Sequence, residues 1–304
     1  MSCPVCQFSE FKKLSFYEGL SKYTDKSDLV ECQKCGHFYL RQIEDGQVDD
    51  FFEEGKYELL DTRKSIFDSI KYQDAKRVFK VLNNRGKSFG KLLDFGCGKG
   101  LFLSFLDKKK WYGLGVETAR SRAEFGRKQY DVKILSEFYE EGAIEEGNFD
   151  VICLFHVLEH LDQPKDLLQK LIKDNLKQDG VLIIEVPLFN SWQSRIAGRN
   201  WIQLDPPLHI SHFTKTSLNF LLKNVGMTTV KTQYFSYQLG LLGMVQSLMS
   251  KLGYKGDYIA DLKFNRTAKL LFGTALIFPL AFILEMLSCL FKRGGVIRIY
   301  AQKA

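Results

Sequence analysis

The sequence predicts an α/β protein: a mostly parallel sheet covered by helices on both faces, with a cysteine module ahead of it and an apolar helical insertion before its last strand. Three observations predict this. From residue 91 onward, short apolar runs alternate with segments of helical spacing, the pattern of a sheet buried on both sides. Two C-x-x-C pairs stand near the start, at Cys3/Cys6 and Cys32/Cys35. Residues 270–291 are an almost unbroken apolar run.

Residues 1–45 form the cysteine module and residues 46–90 a helical connector, in which Ile70, Val78 and Leu82 fall at helical spacing up to the stop at Asn83-Asn84-Arg85-Gly86. The sheet domain is expected over 91–237 and 294–304. Its strands read as 91–95, 112–117, 132–135, 149–155, 180–186, 228–234 and 296–301, with helices near 100–108, 119–129, 164–176 and 217–224. Residues 238–293 are the insertion, and apolar positions 241, 242, 245, 248, 249 and 252 predict one amphipathic helix within it.

Bulk properties narrow the class. With 304 residues, 45% hydrophobic and 26% charged, the chain can bury a full core. The net charge of +7 favours anionic surroundings without naming them. From Lys251 to Arg298, eight basic residues oppose Asp257, Asp261 and Glu285, a local +5. The opening Cys-Pro-Val-Cys is not a basic-then-apolar leader, and seven cysteines in mostly metal-like spacing argue against a disulfide framework. A cytoplasmic location, with contact at the inner face of the membrane, is the expectation.

The strongest chemical signal is Asp94-Phe95-Gly96-Cys97-Gly98-Lys99-Gly100, which follows a predicted strand and opens a predicted helix. Glycines there let backbone approach a ligand, and the helix start offers N–H groups. Glu117 ends the next strand, where a carboxylate can accept both hydroxyls of a ribose. Leu101 occupies the place of the third glycine of a dinucleotide fingerprint, which weakens the nearest rival, a NAD-type dehydrogenase. Asp94 suits a ligand with a cationic amino group, such as the methionine part of S-adenosyl-L-methionine.

Four cysteines in two C-x-x-C pairs make a tetrahedral zinc set, Cys3, Cys6, Cys32 and Cys35. Four thiolates close such a site, so His37 is expected to be an exposed neighbour. The module lacks a dense basic cluster, and no nucleic-acid partner is expected. His156-Val157-Leu158-Glu159-His160 matches the H-x-x-E-H letters of some zinc peptidases. Coming straight off an apolar strand, it reads better as a loop above the strand's carboxyl end. His156, His209 and His212 are candidate general bases, with a purely structural role as the alternative for each.

At these residues the sequence resembles the class I methyltransferases, in particular the bacterial branch of ubiquinone-biosynthesis-like and sugar-modifying enzymes. The resemblance spans most of residues 91–235. It implies a Rossmann-like seven-stranded sheet with an antiparallel last strand, and S-adenosyl-L-methionine as cofactor. It further implies that Asp94, Phe95, Gly96, Cys97, Gly98 and Gly100 form the cofactor loop, Glu117 the ribose acid, and Phe155 with His156 part of the lining. Glu137 stands where the family often places an acid against adenine, although here the context is Leu135-Ser136-Glu137-Phe138. The cysteine module resembles zinc-binding N-terminal regions of sugar and natural-product methyltransferases.

Residues 270–291 are long enough to span a bilayer, about 33 Å as a helix. Pro279 and Glu285 interrupt them, and a single crossing would strand the last β-strand on the wrong side. An in-plane or re-entrant element giving peripheral membrane contact is one expectation; a buried cap or dimer interface is the other. The function expected is methyl transfer to a small-molecule or lipid-linked acceptor, such as a sugar, a glycan intermediate or a quinone-like phenol. The alternatives are the dehydrogenase and a catalytically silent cofactor-binding scaffold.

Overall fold

The computed structural model describes residues 2–17, 27–42, 66–136, 144, 147–206, 208–256, 258, 261–262 and 265–304. In chain order its strands are β1 (Phe11–Lys13), β2 (Ser27–Cys32), β3 (Phe38–Gln42), β4 (Gly90–Phe95), β5 (Trp111–Val116), β6 (Lys133–Leu135), β7 (Phe149–Phe155), β8 (Leu176–Pro187), β9 (Ser211–His212), β10 (Met227–Gln233) and β11 (Val296–Lys303). The α-helices are α1 (Ile66–Asn83), α2 (Leu101–Ser104), α3 (Arg120–Tyr130), α4 (Pro164–Lys170), α5 (Trp192–Ala197), α6 (Lys215–Asn224), α7 (Gly243–Lys251) and α8 (Ala268–Leu290). The chain groups into two compact units, one of residues 1–46, 187–218 and 233–297, the other of 47–186, 219–232 and 298–304.

The second unit holds almost all of a seven-stranded sheet in the order β10-β11-β8-β7-β4-β5-β6, the Rossmann-like arrangement. The pairs β4–β5, β4–β7, β5–β6 and β7–β8 are parallel. Leu92, Leu93, Leu114, Ile152, Leu154, Val181 and Ile183 are buried in it. Strands closed on both faces need such runs rather than alternation. Val78 and Leu82 of α1 pack on Leu92, Val151, Ile183 and Tyr300.

Two helices differ from the sequence reading. α2 stops at Ser104 because Asp107 takes the chain into a turn, its Oδ1 accepting the Lys109 N–H at 3.0 Å. α4 gives way to a π-turn over Leu171–Asn175, and β8 begins at once at Leu176, earlier than expected.

In the first unit β1, β2, β3 and β9 form an antiparallel sheet around the cysteines. Ser211–His212 joins it through Phe38↔His212 and Tyr39↔Ser211. Strands this short carry no readable period, so the pairing was not legible. His37 corrects one expectation: it is not an exposed neighbour but fully buried, its Nε2 3.2 Å from Ser211 Oγ and its ring 4.7 Å from Phe213. Burial pushes its imidazole down to about 3. The amphipathic segment is also not one α-helix, since a π-turn over Tyr237–Leu242 precedes α7. The segment seats Gly240 and Gly243 so close to Glu285 and Gln193 that a Cβ would stand 2.8 and 2.5 Å from their side-chain oxygens. α8 runs unbroken through Pro279.

Candidate cofactor site and active site

β4 delivers Asp94 and Phe95 to the carboxyl edge of the second unit's sheet, between Gly115–Val116 of β5 and Cys153–Leu154 of β7. The chain then turns sharply. Gly96 has φ 73°, and a Cβ there would stand 2.5 Å from Val157 Cγ2, so only glycine fits. Gly98 has φ 55° with open space around it. The end of β5 fixes the turn: Val116 O accepts the N–H groups of Gly96 at 2.9 Å and Cys97 at 3.0 Å.

Glu117 completes the clamp. Its Oε2 accepts the Gly98 N–H at 2.8 Å and its Oε1 the Ala119 N–H at 2.9 Å. The carboxylate thus ties the glycine turn to the start of α3, while lone pairs remain on both oxygens. Asp94 is 2% exposed. Burial raises its carboxyl to about 8, with Lys71 pulling it down and Glu117 pushing it up. Cys97 packs its sulfur over Gly115, where a Cβ would meet it at 2.5 Å. Burial, then Asp94 and Glu117, push that thiol well above its ordinary range and keep it protonated.

After β7 the backbone turns again at His156, which has φ 57°, an uncommon conformation for a residue other than glycine. Its Nδ1 lies 3.0 Å from Glu159 Oε1 and its Nε2 3.2 Å from Glu185 Oε1. The Glu185 carboxylate also pairs with Arg298 of β11 at 2.5 Å. Burial by itself would lower His156, but Glu159 and Glu185 outweigh it and hold the ring up at about 9. Burial would raise Glu185, yet Arg298 and His156 bring it down to about 2. The result is a chain of alternating charges, Glu159, His156, Glu185 and Arg298. Phe155 sits beside it, edge-on to Phe102 at 5.0 Å, with the Arg298 guanidinium 5.9 Å from its ring centre. The H-x-x-E-H letters lie on a strand end and one 3-10 turn, Leu158–His160, and not on the α-helix that a zinc peptidase needs.

The second unit therefore brings together Asp94, Phe95, Gly96, Cys97, Gly98, Gly100, Glu117, Phe155 and His156 at the carboxyl ends of β4, β5 and β7. Glu137 lies outside the described residues. His209 and His212 belong to the first unit. His209 Nδ1 is 2.8 Å from Gln203 O. His212 is buried, its Nε2 has no hydrogen-bond partner, and burial keeps its ring neutral. Glu185 and Arg298 were missed by sequence reasoning. A signal existed: each is a lone charge inside an apolar strand, Ile183-Ile184-Glu185-Val186 and Ile297-Arg298-Ile299, and buried charges come paired.

The cysteine set was expected from spacing. In the first unit the four ligand sulfurs of Cys3, Cys6, Cys32 and Cys35 lie within 4.8 Å of one another. Cys3 Sγ is 3.6 Å from Cys35 Sγ, and Cys6 Sγ 3.4 Å from Cys32 Sγ. A tetrahedron with metal–sulfur bonds of about 2.3 Å has edges near ~3.8 Å, so this donor set fits zinc.

Comparison with known proteins places this geometry. The family model for a methyltransferase domain matches residues 67–232, just over half of the chain. A mitochondrial ubiquinone biosynthesis O-methyltransferase of Dictyostelium discoideum is 31% identical over 140 residues, covering 40% of this chain and 43% of that protein. A ubiquinone biosynthesis O-methyltransferase of Actinobacillus pleuropneumoniae is 32% identical over 105 residues, covering 31% and 44%. The matched regions thus span less than half the length of these curated relatives. A crystal structure assigned as a sarcosine dimethylglycine methyltransferase from Galdieria sulphuraria shares the fold at 16% identity, with a TM-score of 0.51 over 76% of this chain and 86% of that one. The glycine turn clamped by Glu117, the order of the sheet and the extent of the family match together establish that this chain belongs to the class I S-adenosylmethionine-dependent methyltransferases.

Proposed function

We propose that the protein transfers a methyl group from S-adenosyl-L-methionine to a small-molecule acceptor, and that a quinone-like phenol is the acceptor class that fits best. The observation that carries the reading is the coupling of Asp94, Gly98 and Glu117. A carboxyl group that is 2% exposed is costly unless a cation meets it, and the amino group of the cofactor is such a cation. Glu117, already oriented by two backbone N–H groups, has lone pairs left for ribose hydroxyls. The turn at Gly98 leaves room for close approach of a ligand to backbone.

When bound, the cofactor supplies a methyl group on a sulfonium, already activated for displacement. The chain's own part is to orient, to exclude water and to manage the acceptor's proton. His156 suits the proton step poorly, because both ring nitrogens are engaged by carboxylates and the ring is held cationic. We assign it to positioning and to a local positive charge that favours an acidic hydroxyl as acceptor. His209 and His212 lie in the other unit, and neither is assigned a part in the step. The phenol is favoured over a sugar or glycan intermediate because the curated relatives are ubiquinone biosynthesis O-methyltransferases.

Zinc held by Cys3, Cys6, Cys32 and Cys35 completes the proposal, as a structural ion that would replace the core a short module cannot build. The seven cysteines, none in a disulfide, are in keeping with a reducing compartment such as the cytoplasm. The test is calorimetry with S-adenosyl-L-methionine and NAD on the purified protein, followed by turnover on catechol-type and sugar acceptors. Cofactor binding that Glu117→Ala weakens by about 1.5–3 kcal/mol supports the reading. Tighter binding of NAD overturns it, and turnover confined to sugars overturns the phenol assignment.

A further inference from the structure

Helix α8 has two faces of opposite character. Leu270, Ala281, Glu285 and Ser288 form its buried stripe. Around Glu285 the first unit is built to hold a carboxylate: Gln193 Nε2 donates at 3.1 Å, the Gly295 N–H at 3.2 Å and Ser288 Oγ at 3.2 Å. The other face is open. Phe272, Leu276 and Leu290 are 73%, 72% and 74% exposed, and Leu280, Phe282 and Ile283 lie between them. From residue 270 to 291 every exposed side chain is apolar, and the one charged residue in that stretch is the buried Glu285.

This pattern selects among possible partners. A face between two proteins carries about one hydrogen bond per 100–200 Å² and a polar rim. From Leu270 to Leu290, about 30 Å of helix, the open face of α8 offers no hydrogen-bonding side chain. Hydrocarbon makes no such demand. Charge agrees: Lys269 stands at one end, Lys292 and Arg293 at the other, with Lys251 and Lys255 exposed in the same unit. Cations at both ends of an apolar face suit a helix lying along an anionic headgroup layer. The stripe around Glu285 argues against a spanning helix, because withdrawing α8 from the unit would leave a carboxylate in hydrocarbon without the Gln193 and Gly295 donors.

We propose that α8 is a one-leaflet membrane anchor, lying parallel to an anionic bilayer with its Phe272–Leu276–Ile283 face among the acyl chains. The inference rests on the first unit alone and stands or falls separately from methyl transfer. The test is flotation of the full chain with vesicles of phosphatidylcholine, with and without phosphatidylglycerol. We expect it to float, more strongly when phosphatidylglycerol is present. Leu276→Glu combined with Ile283→Glu should weaken binding more than roughly tenfold. Both residues are exposed, so the circular dichroism spectrum should not change. Lys269→Glu with Lys292→Glu should remove the preference for anionic lipid and leave residual binding to neutral vesicles. No flotation, or flotation untouched by the Leu276→Glu/Ile283→Glu pair, overturns the proposal. So does a lipid-free dimer that this pair dissociates, since a second copy would then cover the face.

Discussion

Asp94 and His156 are both held away from their ordinary protonation by burial and neighbours, and each makes a prediction. Asp94, raised to about 8, keeps its proton through neutral pH unless a cation arrives. Its raised value means that its contribution to stability is full below the unfolded carboxyl range and is lost as pH rises through about 8. Cofactor affinity should move the opposite way, tightening by up to roughly tenfold per pH unit up to that point as the carboxylate forms. Calorimetry over this range checks it, and Asp94→Asn should give weak, pH-independent binding. His156 lies at about 9, so its stabilising charge is full below about 6.5 and disappears as pH rises through 9. Urea unfolding at neutral and alkaline pH should show a loss of no more than about 3 kcal/mol that His156→Gln abolishes. Arg298 is the buried cation at the end of this chain of charges. Arg298→Met leaves Glu185 buried with one partner fewer and should cost about 3 kcal/mol; adding Glu185→Gln should return part of it.

At the scale of elements, the turns after β4 and β7 carry the site, and they were unequally readable. The turn after β4 announces itself, because glycines at positive φ and a strand-end acid cannot be exchanged for other residue types there. What spacing did not reveal is that Glu117 spends a lone pair of each oxygen on Gly98 and Ala119. Side-chain to backbone bonds between successive loops leave no periodic trace. The turn after β7 was readable as a loop. The pairing of its charges was not, because Glu159, Glu185 and Arg298 come from three separated segments that only the strand order β11-β8-β7 brings together. The sheet itself was legible from apolar runs, whereas β1 and β9 were too short to signal and β2, Ser27-Asp28-Leu29-Val30-Glu31-Cys32, carries only two apolar residues between charged ones. In α8 the apolar run was plain, but its buried stripe depends on Gln193 and Gly295, far away in sequence. The stripe predicts that Glu285→Ala, which orphans those donors, speeds amide exchange over 268–290 and leaves the β4–β7 region protected.

For the whole molecule, the division into two units decides what each bound group stabilises. The cysteine sulfurs, the sheet of β1, β2, β3 and β9, and buried His37 all lie in the first unit, whereas the glycine turn and Glu117 lie in the second. On the sheet around the cysteines, Leu29 and Leu40 pack with Phe189, Trp201 and Leu204 in one small cluster. A zinc bound by the four sulfurs, as proposed, would add to this cluster's contribution on the order of 10 kcal/mol in such a module. Elemental analysis should therefore find one zinc per chain. Releasing it with a mercurial and chelator should abolish amide protection in residues 27–42 and 211–213, where β9 pairs with β3. Residues 90–116 and 149–155 should keep their protection, because their order comes from a sheet buried on both faces. Cys3→Ser should reproduce the effect, and Cys97→Ser should not, since that thiol packs over Gly115 within the second unit. Protection of the 27–42 strands that survives complete loss of metal would mean that the sulfurs are a packed core and not a ligand set.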